Sequence, residues 1–105
     1  DMVVKERFGL EANAFNALVY YGPDSNMDAA ELLLVDMKDT SQKETVTDAI
    51  QKRIDYQKTC FEGYGVDQME LINQAKTIVY GHYVLFIVSK DSQPARDAFA
   101  EAVTK

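Results

Sequence analysis

The sequence predicts an α+β domain with two layers: a four-stranded, mainly antiparallel sheet and helices packed on one face, arranged as repeated ββα-type units. Three observations predict it. The longest apolar run, AKTIVYGHYVLFIV at 75–88, is interrupted by Gly81-His82. That is the pattern of two strands joined by a two-residue turn, and glycine at the first central position suits a type II′ turn, which needs a positive φ there. Residues 41–60 carry apolar side chains at helical spacing. Finally, strand, cap and amphipathic helix recur in that order, with Lys38-Asp39-Thr40 matched by Lys90-Asp91-Ser92. The recurrence reads either as duplication or as two β-to-α units obeying the same capping physics, and the second reading carries slightly more weight.

Taken in order, residues 2–9 form a short helix stopped by Gly9, with Val4 and Phe8 on one face. Residues 13–21, rich in β-branched and aromatic side chains, read as a strand. The turn formers at 22–26 make a loop. Residues 30–38 form a second strand that ends in charges. Thr40 or Ser41 caps the main helix, whose stripe is Val46, Ala49, Ile50, Ile54 and Phe61. Lys43, Glu44, Asp48, Lys52 and Asp55 lie off that stripe and are expected in water. Gly63 and Gly65 end the helix, and 67–73 form another with Met69 and Ile72 inward. After the hairpin, Asp91 or Ser92 caps the last helix, with Pro94 in its first turn and a buried stripe of Ala95, Ala98, Phe99, Ala102 and Val103.

The whole chain, 1–105, makes one domain: it is too short for two and long enough to bury a core. Hydrophobic residues are 47% and charged residues 27%, a globular balance. Net charge is −6, with no Lys/Arg cluster, which argues against nucleic acid and against anionic membrane surfaces as partners. No apolar stretch reaches the roughly 18 residues of a spanning helix, so no direct membrane insertion is expected. The single cysteine, Cys60, excludes an internal disulfide.

The segment 56–103 carries a QK-x-x-F-E-x-Y helix exit, a short helix, a Val-x-Gly-x-Tyr-Val hairpin and a Ser-x-Asp cap. In that order these motifs resemble a domain-of-unknown-function family found in small lipoproteins of Gram-positive bacteria. The likeness covers the C-terminal half well, 32–50 less closely and the first 25 residues poorly. Cys60 stands where a Ser or another small residue is usual, and His82 where Asn is common. The family has no established activity, so the resemblance transfers no catalytic residue. It implies an extracytoplasmic domain, tethered to a membrane by a lipid-modified cysteine upstream of these residues.

No local pattern supplies a reaction centre. His82, the one histidine, is expected in the exposed turn, without the orienting partner and nucleophile that catalysis needs. Cys60 near a helix C-terminus, with Glu62 beside it, is poorly placed for a thiolate and reads as a packed residue. Asp24-Ser25-Asn26-Met27-Asp28 mimics the start of an EF-hand loop, but Ala29 and Val35 stand where its Gly and bidentate Glu belong, so no metal site is assigned. Glu6, Glu11, Asp36, Asp39, Glu62, Asp67 and Glu70 are scattered, and no phosphate loop or dinucleotide fingerprint occurs. No catalytic residue and no cofactor is therefore assigned.

The tyrosines are more informative. Tyr80 and Tyr83 face each other across the turn and share a sheet face with Ile78, Leu85 and Ile87, while Val79, Val84 and Phe86 share the other. A sheet apolar on both faces needs cover on both. Either the N-terminal helix supplies the second cover, or a partner or a second copy of the chain does. Tyr80, Tyr83 and Leu85 are the candidate interface. The expected role is a non-enzymatic binding or interaction module at the cell envelope. The alternatives are a small enzyme or hydrolase accessory using a carboxylate pair, and a cytosolic regulatory module.

Overall fold

The computed structural model describes residues 2–22, 30–63, 66–89 and 93–103, apart from the side chains of Met2, Val3, Val66 and Asp67. The elements are α1 (Met2–Phe8), β1 (Ala17–Tyr21), β2 (Glu31–Asp36), α2 (Lys43–Phe61), α3 (Val66–Asn73), β3 (Lys76–Tyr80), β4 (Tyr83–Val88) and α4 (Gln93–Val103). The four strands make one sheet in the order β1-β2-β4-β3, and every pairing is antiparallel. The α+β class and the four-stranded antiparallel sheet are as the sequence predicts.

One face of the sheet carries Leu18 and Tyr20 of β1, Leu33 and Val35 of β2, and Val84, Phe86 and Val88 of β4. These side chains form a single cluster with Val4 and Phe8 of α1, Val46, Ala49, Ile50 and Phe61 of α2, and Leu71 and Ile72 of α3. The Phe8 ring meets Phe86 edge-on at 6.0 Å. Three helices therefore share this face, and the N-terminal helix lies here instead of on the opposite face. The reason is local. Gly9 takes φ +70 and its N–H bonds the Lys5 carbonyl at 2.9 Å, which stops α1 in a left-handed cap. Val4 and Phe8, one turn apart, both join the cluster that contains Phe86.

Several sequence expectations are corrected. Residues 13–16 do not extend β1. Ala12–Ala14 forms a 3₁₀ turn, tied down by Lys38 Nζ to the Asn13 carbonyl (3.0 Å) and by Gln42 Nε2 to the Ala14 carbonyl (2.8 Å). The cap before the main helix is Asp39, not Thr40 or Ser41: its carboxylate accepts from the Ser41 N–H at 2.9 Å and opens a 3₁₀ turn, Thr40–Gln42, that runs into α2. Those bonds hold the Asp39 carboxyl below its ordinary pKa. Along α4 only Phe99 is buried; Ala95 and Val103 are half-buried, and Ala98 and Ala102 are exposed. Of the loop expected at 22–26, residues 23–26 lie outside the described residues, as do the EF-hand mimic, Gly65, Asp91 and Ser92.

The opposite face carries Leu32 and Leu34 of β2, Leu85 and Ile87 of β4, and Ile78 and Tyr80 of β3. Leu85 is only 2% exposed and Ile87 5%, yet neither belongs to the first cluster. Phe99 of α4, at 7%, is outside it too. Leu85 and Ile87 are thus buried on the face opposite α1, α2 and α3. The repeat makes the same point. Shifting Lys38 onto Lys90, a step of 52 residues, brings Leu33 onto Leu85 and Val35 onto Ile87. Leu33 and Val35 face α2, whereas Leu85 and Ile87 point the other way. Identical structural copies would present equivalent residues to equivalent sides. The two units thus share a Lys-Asp-Thr/Ser sequence without sharing which sheet face their strand residues present.

Candidate functional site

The hairpin tip places Tyr80 opposite Tyr83 across Gly81-His82, and Ile78 opposite Leu85. Gly81 takes φ +57 and His82 does not share the positive sign, as a type II′ turn requires. Tyr80 is 50% exposed, Tyr83 half-buried and Leu85 buried. The three residues share a face, with access graded from the edge strand inward. Tyr80 and Val79 (37%) are among the exposed large hydrophobic residues; the others described are Val19, Tyr21 and Tyr56. Four of these five lie on β1 or β3, the two edge strands, so exposed apolar surface collects where one row of backbone N–H and C=O groups has no neighbour strand.

His82 does have a partner. Its Nδ1 lies 2.7 Å from Asp36 Oδ1, and its ring stacks at 4.4 Å on Tyr83. Sequence reading missed this because Asp36 is 46 residues away; the antiparallel register of β2 and β4 brings Asp36 opposite Tyr83, next to the turn. His82 borders a shallow recess of about 320 Å³ with Asn16, Met37 and Thr40. Of the residues lining it, Thr40 has the one hydroxyl, and it makes no hydrogen bond to His82.

The main buried polar feature lies between α1, α2 and the near end of β2. Glu31 is fully buried, and Arg53 is 7% exposed. Arg53 Nε donates to both Glu31 oxygens, at 3.1 and 3.3 Å. The Tyr20 hydroxyl donates to Glu31 Oε1 at 2.7 Å and accepts from Arg7 Nη1 at 2.7 Å. Arg53 is also held between two rings, its guanidinium carbon 5.8 Å from the Phe8 centroid and 5.8 Å from that of Tyr56. Burial first, and then the bond to Glu31, push the Tyr20 phenol above its ordinary pKa, with Arg7 pulling the other way. Arg7, Glu31 and Arg53 escape period-based reading, which assigns charges to water. A signal was present: Arg53 sits three residues after Ile50 and four after Ala49, on the buried stripe.

Above this network runs a groove of about 990 Å³ between the end of α1 and the length of α2. Phe8, Leu10 and Phe61 form its apolar wall, Arg53 and Gln57 its floor, and Arg7, Lys52 and Tyr56 its rim. Cys60 lines it too, one turn from Tyr56, and its proximity holds the Tyr56 phenol above its ordinary pKa. Among the described residues no group of three His, Cys, Asp or Glu side chains is arranged to hold a metal ion. No described helix is long and apolar enough to cross a membrane.

Residues 1–89 match a family model described as "Domain of unknown function (DUF4358)". The match includes the first 25 residues, where the sequence resemblance was poor, and ends one residue after β4, leaving α4 outside. No curated protein and no solved structure matches the chain.

Proposed function

This chain belongs to the DUF4358 family, and we propose that it is a non-enzymatic protein-binding module displayed outside the cytoplasm. The observation that carries the binding role is the concentration of exposed Val19, Tyr21, Val79 and Tyr80 on the two edge strands. Strand β3 suits a partner best. It has five residues, no proline and no charge after Lys76, and Tyr80 with Tyr83 offers aromatic area beside an unpaired backbone row. A partner strand laid along β3 satisfies that row and covers Val79 on one face and Tyr80 on the other. A second copy of the chain fits: antiparallel pairing centred on Ile78 sets Lys76 against Tyr80, with no like charges opposed. The extracytoplasmic location rests on the lipoprotein resemblance of the hairpin and helix-exit motifs.

Sedimentation velocity tests the interface. Self-association that rises with concentration is expected for the unaltered chain, and Val79→Lys with Tyr80→Ser should abolish it. A strict monomer at millimolar concentration sinks the self-pairing. The location has its own test in the residues encoded upstream of Asp1. A leader ending in a small residue and a cysteine supports the envelope, and its absence removes that claim.

A further inference from the structure

We propose that the strand covering β3 is β1 of a second copy, so that chains join edge to edge, head to tail. This rests on the edge-strand reading and names the partner segment for it.

Strand direction allows the joint. Each strand is antiparallel to its neighbours in the order β1-β2-β4-β3, so β1 and β4 run one way and β2 and β3 the other. The two edges therefore run oppositely. A copy set beside β3 in the same orientation presents its β1 antiparallel to that strand, with α1, α2 and α3 of both copies on one side of the joined sheet.

The backbone phase agrees. The Met37 N–H bonds the His82 carbonyl at 2.7 Å, and successive residues of an antiparallel strand turn their N–H and C=O to alternate sides. Carried through the registers, this turns Leu18 and Tyr20 of β1, and Thr77 and Val79 of β3, away from their neighbour strands. Among the described residues these outward backbone groups have no hydrogen-bond partner. Setting Thr77 against Tyr20 of the second copy, and Val79 against its Leu18, lets each pair exchange both bonds.

The side chains fit in that register, which uses all five residues of each strand. It opposes Lys76 to Tyr21, Ile78 to Val19 and Tyr80 to Ala17. Bulky Tyr80 thus meets the smallest residue of β1, and two β-branched side chains meet at the centre. Lys76, the one charge in the seam, meets a ring and not another cation. The seam covers Val19 (40% exposed), Tyr21 (69%), Val79 (37%) and Tyr80 (50%) together. Pairing β3 with β3 would leave Val19 and Tyr21 in water. Because the two joined surfaces differ, every assembly keeps one free β1 and one free β3 at its ends, and growth continues past the dimer.

Sedimentation velocity of three chains tests this: the unaltered chain, Val19→Lys with Tyr21→Ser, and Val79→Lys with Tyr80→Ser. The seam is short, so the measurement runs to millimolar chain. Expected are species beyond the dimer for the unaltered chain and monomers for either variant alone. An equimolar mixture of the two variants should form a 1:1 dimer and nothing larger, because each supplies the edge that the other lacks. A mixture that stays monomeric, with both variants keeping the unaltered circular dichroism spectrum, overturns the proposal. Should a variant lose that spectrum, Tyr21→Lys alone or Tyr80→Lys alone takes its place, both residues being half or more exposed. A β1 variant that associates as the unaltered chain does overturns this proposal and leaves β3 pairing with itself. A strictly monomeric unaltered chain overturns the self-pairing of the edge strands altogether, so the two failures are distinguishable.

Discussion

Glu31 and Arg53 carry the largest local stakes in the molecule. Two charges leave water together, and their attraction offsets that loss only while both are present and hydrogen-bonded. Removing one partner strands the other. Arg53→Met alone should therefore destabilise the fold by about 3–5 kcal/mol in urea unfolding. Combining it with Glu31→Leu should recover most of that, because an apolar pair of similar volume is tolerated where a single buried ion is not. If the double variant is no better than the single one, the pair is not the source of the cost. Of this pair, the place of Arg53 on the buried stripe of α2 was legible in the sequence, and its partner was not. Val46, Ala49, Ile50 and Phe61 were identified as core by their spacing, and they are buried. Arg53 and Gln57 occupy the same stripe, but hydrophobicity patterns treat any charge or amide as solvent-facing. Only the approach of β2 reveals that Glu31 waits beneath α2. His82 and Asp36 were hidden for the same reason, being joined by strand register and not by proximity in the chain.

Elements were read best where one residue punctuates them. Gly9 and Gly81 both take positive φ, and both stand where the sequence places a stop or a turn. No atom lies within 4 Å of a Cβ built on Gly81, so Gly81→Ala meets no clash and should cost only the conformational penalty, about 1–2 kcal/mol. Circular dichroism during thermal unfolding would measure it, and an unchanged melting temperature would show that the turn tolerates a side chain. Reading was poorer where tertiary contacts choose between equals. Residues 13–16 carry strand-like composition, yet Lys38 and Gln42 bind their carbonyls and fold them into a 3₁₀ turn. Asp39, Thr40 and Ser41 are all good caps, and the choice of Asp39 depends on how β2 delivers the chain. The alanines of α4 sit at helical spacing, but Phe99 alone reaches deep enough to be buried.

For the whole molecule, the sheet divides two unequal layers. Three helices build the larger core, while Leu85 and Ile87 are buried on the far side, outside that cluster. The family match stops at residue 89, so α4 lies beyond the shared region. A chain ending at Ser89 should lose about 2 kcal/mol or more, from the burial of Phe99 and its contacts, and should bind a hydrophobic dye such as ANS. Unaltered stability and no dye binding would mean that α4 leaves Leu85 and Ile87 as it finds them. The strand order β1-β2-β4-β3 has a further consequence, for the time course of synthesis. Each outer strand pairs with its nearest neighbour in sequence, but the central seam joins partners 47 residues apart at Asp36–Tyr83 and 57 apart at Glu31–Val88. As the chain leaves the ribosome, β2 must wait for β4, with Leu33 and Val35 bare along its inner edge. Joining the two halves is also the step with the largest loop-closure entropy, so it is where folding should be slowest.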